Sequence, residues 1–177
     1  MRSPSIPGKV LDQETGKTAV LRIVPFATEL RAHFYELNAA WLTRYFVLEE
    51  IDRRVLSEPE IEILAPGGAI LFALLDDAVV GTCALKLESP GVYELSKMAV
   101  SEQYQGLSIG RQLLQAAITE FKTRGGKTLF LESSKKLLPA LKLYESMGFQ
   151  HQATLKPDSH YQRSDVYMIW NNATVTN

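Results

Sequence analysis

The run from Tyr93 to Leu114 reads YELSKMAVSEQYQGLSIGRQLL and holds two features with chemical potential. The first is Glu94, a solitary carboxylate in an apolar, strand-like segment. Removing a carboxylate from water is unfavourable unless it faces a cavity, a partner or solvent. The plainer alternative is an exposed strand residue paired with Lys86 or Lys97. The second feature is QGLSIG, where Gly106, Gly110 and the small Ser108 let the main chain pass close to a ligand. A helix starting there presents unpaired first-turn N–H groups and the positive end of its dipole. Together these suit a pyrophosphate without requiring a lysine. A plain loop-to-helix junction shares the same two-glycine spacing. No Gly-Lys-Ser/Thr follows, so this is not a Walker loop. The three-glycine dinucleotide fingerprint and its preceding βαβ unit are also missing.

Tyr144, in LYESMGF, is a third candidate: a phenol that can donate a proton, or an amphipathic core tyrosine with its hydroxyl tied to backbone. Trp41, Tyr45 and Phe46 form an aromatic stripe at helical spacing, a pattern found in cores as well as in pocket walls. His33, His151 and His160 are scattered and match no metal spacing, so no metal is expected. Cys83 is the only cysteine, which rules out an internal disulfide and fits a reducing cytoplasm. Inside an apolar strand it reads as a small hydrophobe.

These residues need elements to hold them. AVLRIVPF (Ala19 to Phe26) alternates as a first strand. Leu30, Phe34, Leu37 and Trp41, then Leu48, Ile51 and Val55, recur at helical steps. They predict two helices, with Thr28 as a cap and a bend near Ala40 to Thr43. AILFALLDDAVVGTCALKLE predicts a hairpin around Asp76-Asp77, and VYELSKMAV its third strand. A helix from Gly106 or Ser108 carries Ile109, Leu113, Ala117 and Phe121 on one face and stops at Gly125-Gly126. KTLFLES is a strand, LLPALKLYESMGF a short helix, and FQHQATL and DVYMIW are two last strands. The result is an α+β domain: a mostly antiparallel sheet of about seven strands with one parallel pair, flanked by about four helices. The helix joining Val92–Val100 to Lys127–Ser133 makes that pair a right-handed crossover.

The chain has 177 residues, enough for one domain, placed at 19–171 behind a lead-in at 1–18 and before a tail at 172–177. Nineteen basic against 20 acidic side chains give a net charge of -1, which argues against a broad nucleic-acid surface. No apolar run approaches the roughly 18 to 20 residues that span a bilayer, and no secretory signal is evident. Neither a nucleic-acid nor a membrane partner is expected.

Read together, ELSKMAV, QGLSIGRQLL, LESS and PALKLYESMGF resemble the GNAT superfamily of acyl-CoA-dependent N-acetyltransferases, over about Ala19 to Trp170. The family loop is Arg or Gln, two residues, Gly, one residue, then Gly or Ala. Here Gln105, Ser108 and Gly110 fill it, with serine in place of the first glycine. The resemblance implies that the backbone of Met98, Ala99 and Val100 pairs with the pantetheine arm of acetyl-CoA. The amides of Gln105, Gly106, Leu107, Ser108, Ile109, Gly110 and Arg111 would hold its pyrophosphate. Met98 and Val100 would fill core by their side chains at the same time. Glu94 takes the place of the general base and Tyr144 that of the general acid. Relatives often have an asparagine where this chain reads SSKK, so Ser133 or Ser134 stands in for that contact. Trp41 and Tyr45 fall on the helices that wall the acceptor pocket.

The implied reaction is direct attack of a primary amine, on a small molecule or a peptide, on acetyl-CoA. The alternatives are a non-catalytic acyl-CoA sensor and a protein N-terminal or lysine acetyltransferase. A monomer or a homodimer is compatible with this reading.

Overall fold

The computed structural model describes residues 8–11 and 18–172. Eight strands form one sheet: β1 Gly8–Leu11, β2 Thr18–Pro25, β3 Ala69–Leu75, β4 Ala78–Ser89, β5 Val92–Val100, β6 Thr128–Ser133, β7 Phe149–His151 and β8 Val166–Trp170. Their spatial order is β1-β2-β3-β4-β5-β6-β8-β7, and β5–β6 is the parallel pair. Four α-helices accompany them: α1 Arg31–Tyr45, α2 Glu50–Ser57, α3 Ile109–Thr123 and α4 Leu138–Ser146. This is the mixed fold anticipated from the sequence, with one more strand than the seven expected. The addition is β1, drawn from the segment read as a lead-in, whose Gly8–Leu11 pairs antiparallel with Thr18–Leu21. The rest of that lead-in, and the tail beyond residue 172, lie outside the described residues.

Two apolar clusters sandwich the sheet. On one face α3 buries Ile109, Leu113, Leu114, Ala117, Ile118 and Phe121 against Val80, Leu95, Leu129 and Leu131. Each large side chain so buried contributes about 1.5–3 kcal/mol. On the other face Phe34 and Leu42 of α1 and Val55 and Leu56 of α2 meet Ile70, Phe72 and Ala84. Helix α1 runs unbroken to Tyr45, without the anticipated bend. Thr28 does not cap it but lies in a short 3-10 turn ahead of it.

Strand β5 departs from plain alternation. Tyr93 and Leu95 face the α3 side, and strict alternation would send Lys97 there as well. Lys97 instead takes φ 50°, in the left-handed region, and the β4–β5 register shifts between Thr82↔Ala99 and Ala84↔Ser96. Left-handed backbone costs an L-residue about 1–2 kcal/mol. The bulge hands the apolar face on to Met98 and Val100 and leaves Lys97 on the α1–α2 side. Beyond the bulge's near side the sheet splits. β5 and β6 pair only through Val92↔Thr128, Tyr93↔Leu129 and Glu94↔Phe130. Past Glu94, β6 continues in register with β8, from Phe130↔Ile169 to Ser133↔Val166.

Candidate active site

A cavity of about 90 Å³ occupies this split. Its walls bring together Glu94, Ser96 and Met98 of β5, Ser133 and Ser134 at the end of β6, Tyr144 of α4, and Asn38 and Trp41 of α1. The two proton-transfer candidates, 50 positions apart in the chain, therefore share one space.

Glu94 is buried, with 4% of its surface exposed. Burial pushes its carboxyl up to about 7, helped by nearby Glu88 and Glu132 and opposed by Lys86 and Lys97. Among the described residues no cation lies within ion-pair distance of it: the nearest pair of Lys86 is Glu88 at 3.9 Å, and that of Lys97 is Asp52 at 2.8 Å. The exposed, lysine-paired alternative is therefore not what the fold contains. A carboxyl that titrates near neutrality can both take up and release a proton under ordinary conditions.

Tyr144 packs its ring against Phe149, edge to face at 6.0 Å between centroids. Burial raises its phenol to about 12, with a smaller push from Cys83. It is therefore protonated throughout the neutral range and able to donate. Among the described residues no hydrogen bond ties that hydroxyl to the backbone. Cys83 is fully buried and free, and burial lifts its thiol to about 12, so it is no thiolate nucleophile at neutral pH.

The loop before α3 has the backbone its composition suggests. Gly106 has φ 82° and Ser108 φ 59°, both left-handed, and Ser108 is the N-cap residue of α3. No side chain caps that end, so its first-turn N–H groups are not spent on a protein oxygen from the cap. Gly106 has open space where a Cβ would stand, whereas a Cβ on Gly110 would meet Leu143 and Met98 at 3.3 Å. The smallness of Gly110 thus serves the packing of α3 on β5 and α4, and its missing side chain does not face solvent. Ile109 is buried and Leu107 packs on the core, which leaves their main chain as the part that can meet a ligand. Gln105 is exposed. Arg111 reaches the end of α4, donating to Ser146 Oγ at 2.8 Å.

Ser134 is 3% exposed, and its hydroxyl accepts from the Lys136 N–H at 3.3 Å. Of the two aromatic acceptor-wall candidates, Trp41 lines the cavity. Tyr45 does not. It lies on a neighbouring surface depression with Arg44, Phe46, Lys136 and Arg163.

Four further residues adjoin the cavity: Asp52, Tyr161 and Arg163, which sequence reasoning passed over, and Lys97, read there only as an ion-pair partner for Glu94. Asp52, fully buried in α2, accepts from Lys97 Nζ at 2.8 Å and from Arg163 at 2.6 and 2.9 Å. Burial alone would raise its carboxyl, yet Arg163 and Lys97 outweigh that and hold it at about 2. Arg163 also binds Glu49 at 2.7 Å. Tyr161 lies between the two cations, 4.7 Å from Lys97 Nζ and 4.9 Å from the Arg163 guanidinium carbon to its ring centroid. Lys97, Tyr161 and Arg163 all line the cavity.

A left-handed loop at an uncapped helix start thus lies beside a split parallel pair, with Glu94 and Tyr144 sharing the gap. The model of the acetyltransferase (GNAT) family matches residues 27–149, and the chain belongs to that family of acyl-CoA N-acyltransferases. Among curated relatives, the [ribosomal protein bS18]-alanine N-acetyltransferase of Salmonella typhimurium is 42% identical over 62 residues, covering 35% of this chain and 41% of the relative. The N-acetylaspartate synthetase of Mus musculus is 31% identical over 97 residues, covering 54% and 31%. The chain thus spans less than half the length of these relatives. Among solved structures, a GNAT-family acetyltransferase from Staphylococcus aureus superposes with TM-score 0.77 at 20% identity, covering 85% of this chain and 98% of that one. The PaiA N-acetyltransferase of Thermoplasma acidophilum, solved with coenzyme A, gives 0.65 at 18% identity, covering 85% and 98%. Among the described residues no helix is long and apolar enough to cross a membrane, and no group of three or more His, Cys, Asp or Glu could hold a metal ion.

Proposed function

We propose that this protein transfers an acetyl group from acetyl-CoA to a primary amine by direct attack, with Glu94 as base and Tyr144 as acid. The observation that carries the reading is their sharing of one cavity at the strand split, with Glu94 raised to about 7 and Tyr144 to about 12. An alkylamine arrives mostly as ammonium, with a pKa of about 10.4 for a lysine-like group. Glu94, directly or through water, takes one proton so that the nitrogen lone pair can attack the thioester carbon. The C–N bond forms, the C–S bond breaks, and the departing sulfur takes the Tyr144 proton. The attacking nitrogen, cationic once the C–N bond has formed, gives up its second proton to solvent, which restores Tyr144, while Glu94 releases the first as the net proton of the reaction; an amide and free CoA thiol remain.

The pyrophosphate would rest on main-chain N–H groups from Gln105 to Arg111, where Gly106 and Ser108 curve the backbone ahead of an uncapped helix. The pantetheine arm would run along Met98, Ala99 and Val100, where β5 has parted from β6. Ser134 and Ser133 border the same gap, and Trp41 gives the acceptor an aromatic wall. The named relatives act on a ribosomal protein and form N-acetylaspartate, so both peptide and amino-acid amines belong in the test.

Release of CoA thiol from acetyl-CoA, screened against amino acids, polyamines, aminoglycosides and alanine-initiated peptides, tests the reading. Acceptor-dependent release that Glu94→Gln and Tyr144→Phe suppress supports it. Tight acetyl-CoA binding with no release for any amine would instead favour a sensing module.

A further inference from the structure

The ion-pair group Asp52–Lys97–Arg163–Glu49, buried at Asp52 and Lys97 and partly exposed at Arg163 and Glu49, joins three separate parts of the chain around the cavity. Asp52 also accepts from the Glu49 N–H at 3.0 Å, at the start of α2, and Glu49 Oε1 accepts from the Gln162 N–H at 3.1 Å. Helix α2, the bulge of β5 and the segment between β7 and β8 are thus fastened at one point. Two cations face two carboxylates, so the group is neutral as a whole, and each charge is matched where it is buried.

The unusual member is Lys97. Left-handed backbone in a strand favours glycine, and a lysine there needs something to hold it. Its ammonium, on a side chain only 4% exposed, is 2.8 Å from Asp52 and 3.3 Å from the Tyr161 hydroxyl. The next residue, Met98, lines the cavity. We propose that Lys97 and Asp52 are positioning residues for acetyl transfer: their buried ion pair anchors the left-handed bulge of β5 and so sets the backbone that faces the thioester. Arg163 extends the anchor to the segment that carries Tyr161 over the cavity. The inference rests on the acetyl-transfer reading above.

Lys97→Met removes the ammonium at nearly constant length, and Asp52 keeps Arg163 as its partner. Lys97→Gly removes the anchor but accepts positive φ freely, which protects folding. Assayed well below melting, both variants are expected to lose at least tenfold in kcat. The calorimetric Kd for CoA should change less than threefold, because the pyrophosphate amides ahead of α3 are untouched and the anchor acts at the acetyl end of the arm, where free CoA carries no acyl group. Lys97→Met combined with Asp52→Asn should lose no more than the worse single variant, since the pair acts as one unit. Wild-type kcat in the folded Lys97→Gly variant would show that the backbone geometry needs no anchor and would overturn the proposal. So would strictly multiplicative losses in the combined variant. Glu94→Gln, run beside them, judges the underlying reading separately, because the split between kcat and CoA affinity does not depend on Glu94.

Discussion

Lys86 stands directly opposite Glu94 in the β4–β5 register, yet its ammonium pairs at 3.9 Å with Glu88, two residues along its own strand, and makes no ion pair with Glu94. Burial, with Glu88 and Glu132 nearby, outweighs the opposing charges of Lys86 and Lys97 on the carboxyl. That arrangement has consequences for stability and for rate.

The first consequence concerns folding. A carboxyl raised from 4.5 to about 7 binds a proton in the folded state that the unfolded chain has already lost. Between those two values stability falls as pH rises, and above about 7 the penalty is constant. Glu94→Gln carries no such penalty. Its melting temperature should match the wild type near pH 4 and exceed it at pH 8, by an amount equivalent to about 3 kcal/mol. Thermal melts across that range check this, and a pH-independent difference would mean that Glu94 ionises as it does in water.

The second concerns turnover. The wild-type rate should rise with pH through about 7, as Glu94 loses its proton and becomes a base. Glu94→Gln should bind CoA normally and lose that limb, with its deficit shrinking at high pH where free amine is abundant. Initial rates from pH 6 to 10 decide it. Superimposable profiles would assign proton loss to solvent.

Tyr144→Phe keeps the ring that packs on Phe149 and deletes only the donor. General acid catalysis is worth about 100- to 10,000-fold, or roughly 3–5 kcal/mol of barrier. Turnover should fall within that range while the melting temperature stays within a degree or two. A large loss of stability with little change in rate would make Tyr144 a packing residue.

The loop before α3 separates shape from chemistry. Ser108 holds a left-handed conformation that glycine adopts without strain, so Ser108→Gly should stabilise the fold by up to about 1 kcal/mol and leave CoA affinity within twofold. A Cβ at Gly106 would meet no protein atom, but Gly106→Val forces a β-branched residue to φ 82°. It should weaken CoA binding at least tenfold in calorimetry, because the amides on either side must turn.

Much of this site was legible because its signals are local. A carboxylate in an apolar strand, two glycines before a helix and a tyrosine on an amphipathic turn each show within a few residues. Even the bulge leaves a trace, since apolar alternation runs through Tyr93 and Leu95, skips at Lys97 and resumes one position late at Met98 and Val100. Other features had no such trace. Asp52 and Arg163 are 111 positions apart, and nothing near either one names its partner. Gly110 looked like a place for ligand approach, but which neighbours a missing Cβ would touch depends on how α3 lands on Met98 and Leu143. β1 escaped notice because GKVL is too short to show an apolar period and acquires its form from pairing with β2.

The two rims of the sheet differ from its middle. β1 has four residues and β7 three, whereas β4 and β5 have twelve and nine. A strand from another molecule laid along either rim would gain only a few main-chain hydrogen bonds and no long template to extend. Among the described residues the long strand β4 is paired on both sides, and the one long stretch left without a strand neighbour, β5 past Glu94, lies inside the sheet at the split and not at a rim, so the short rims offer little template for edge-to-edge aggregation.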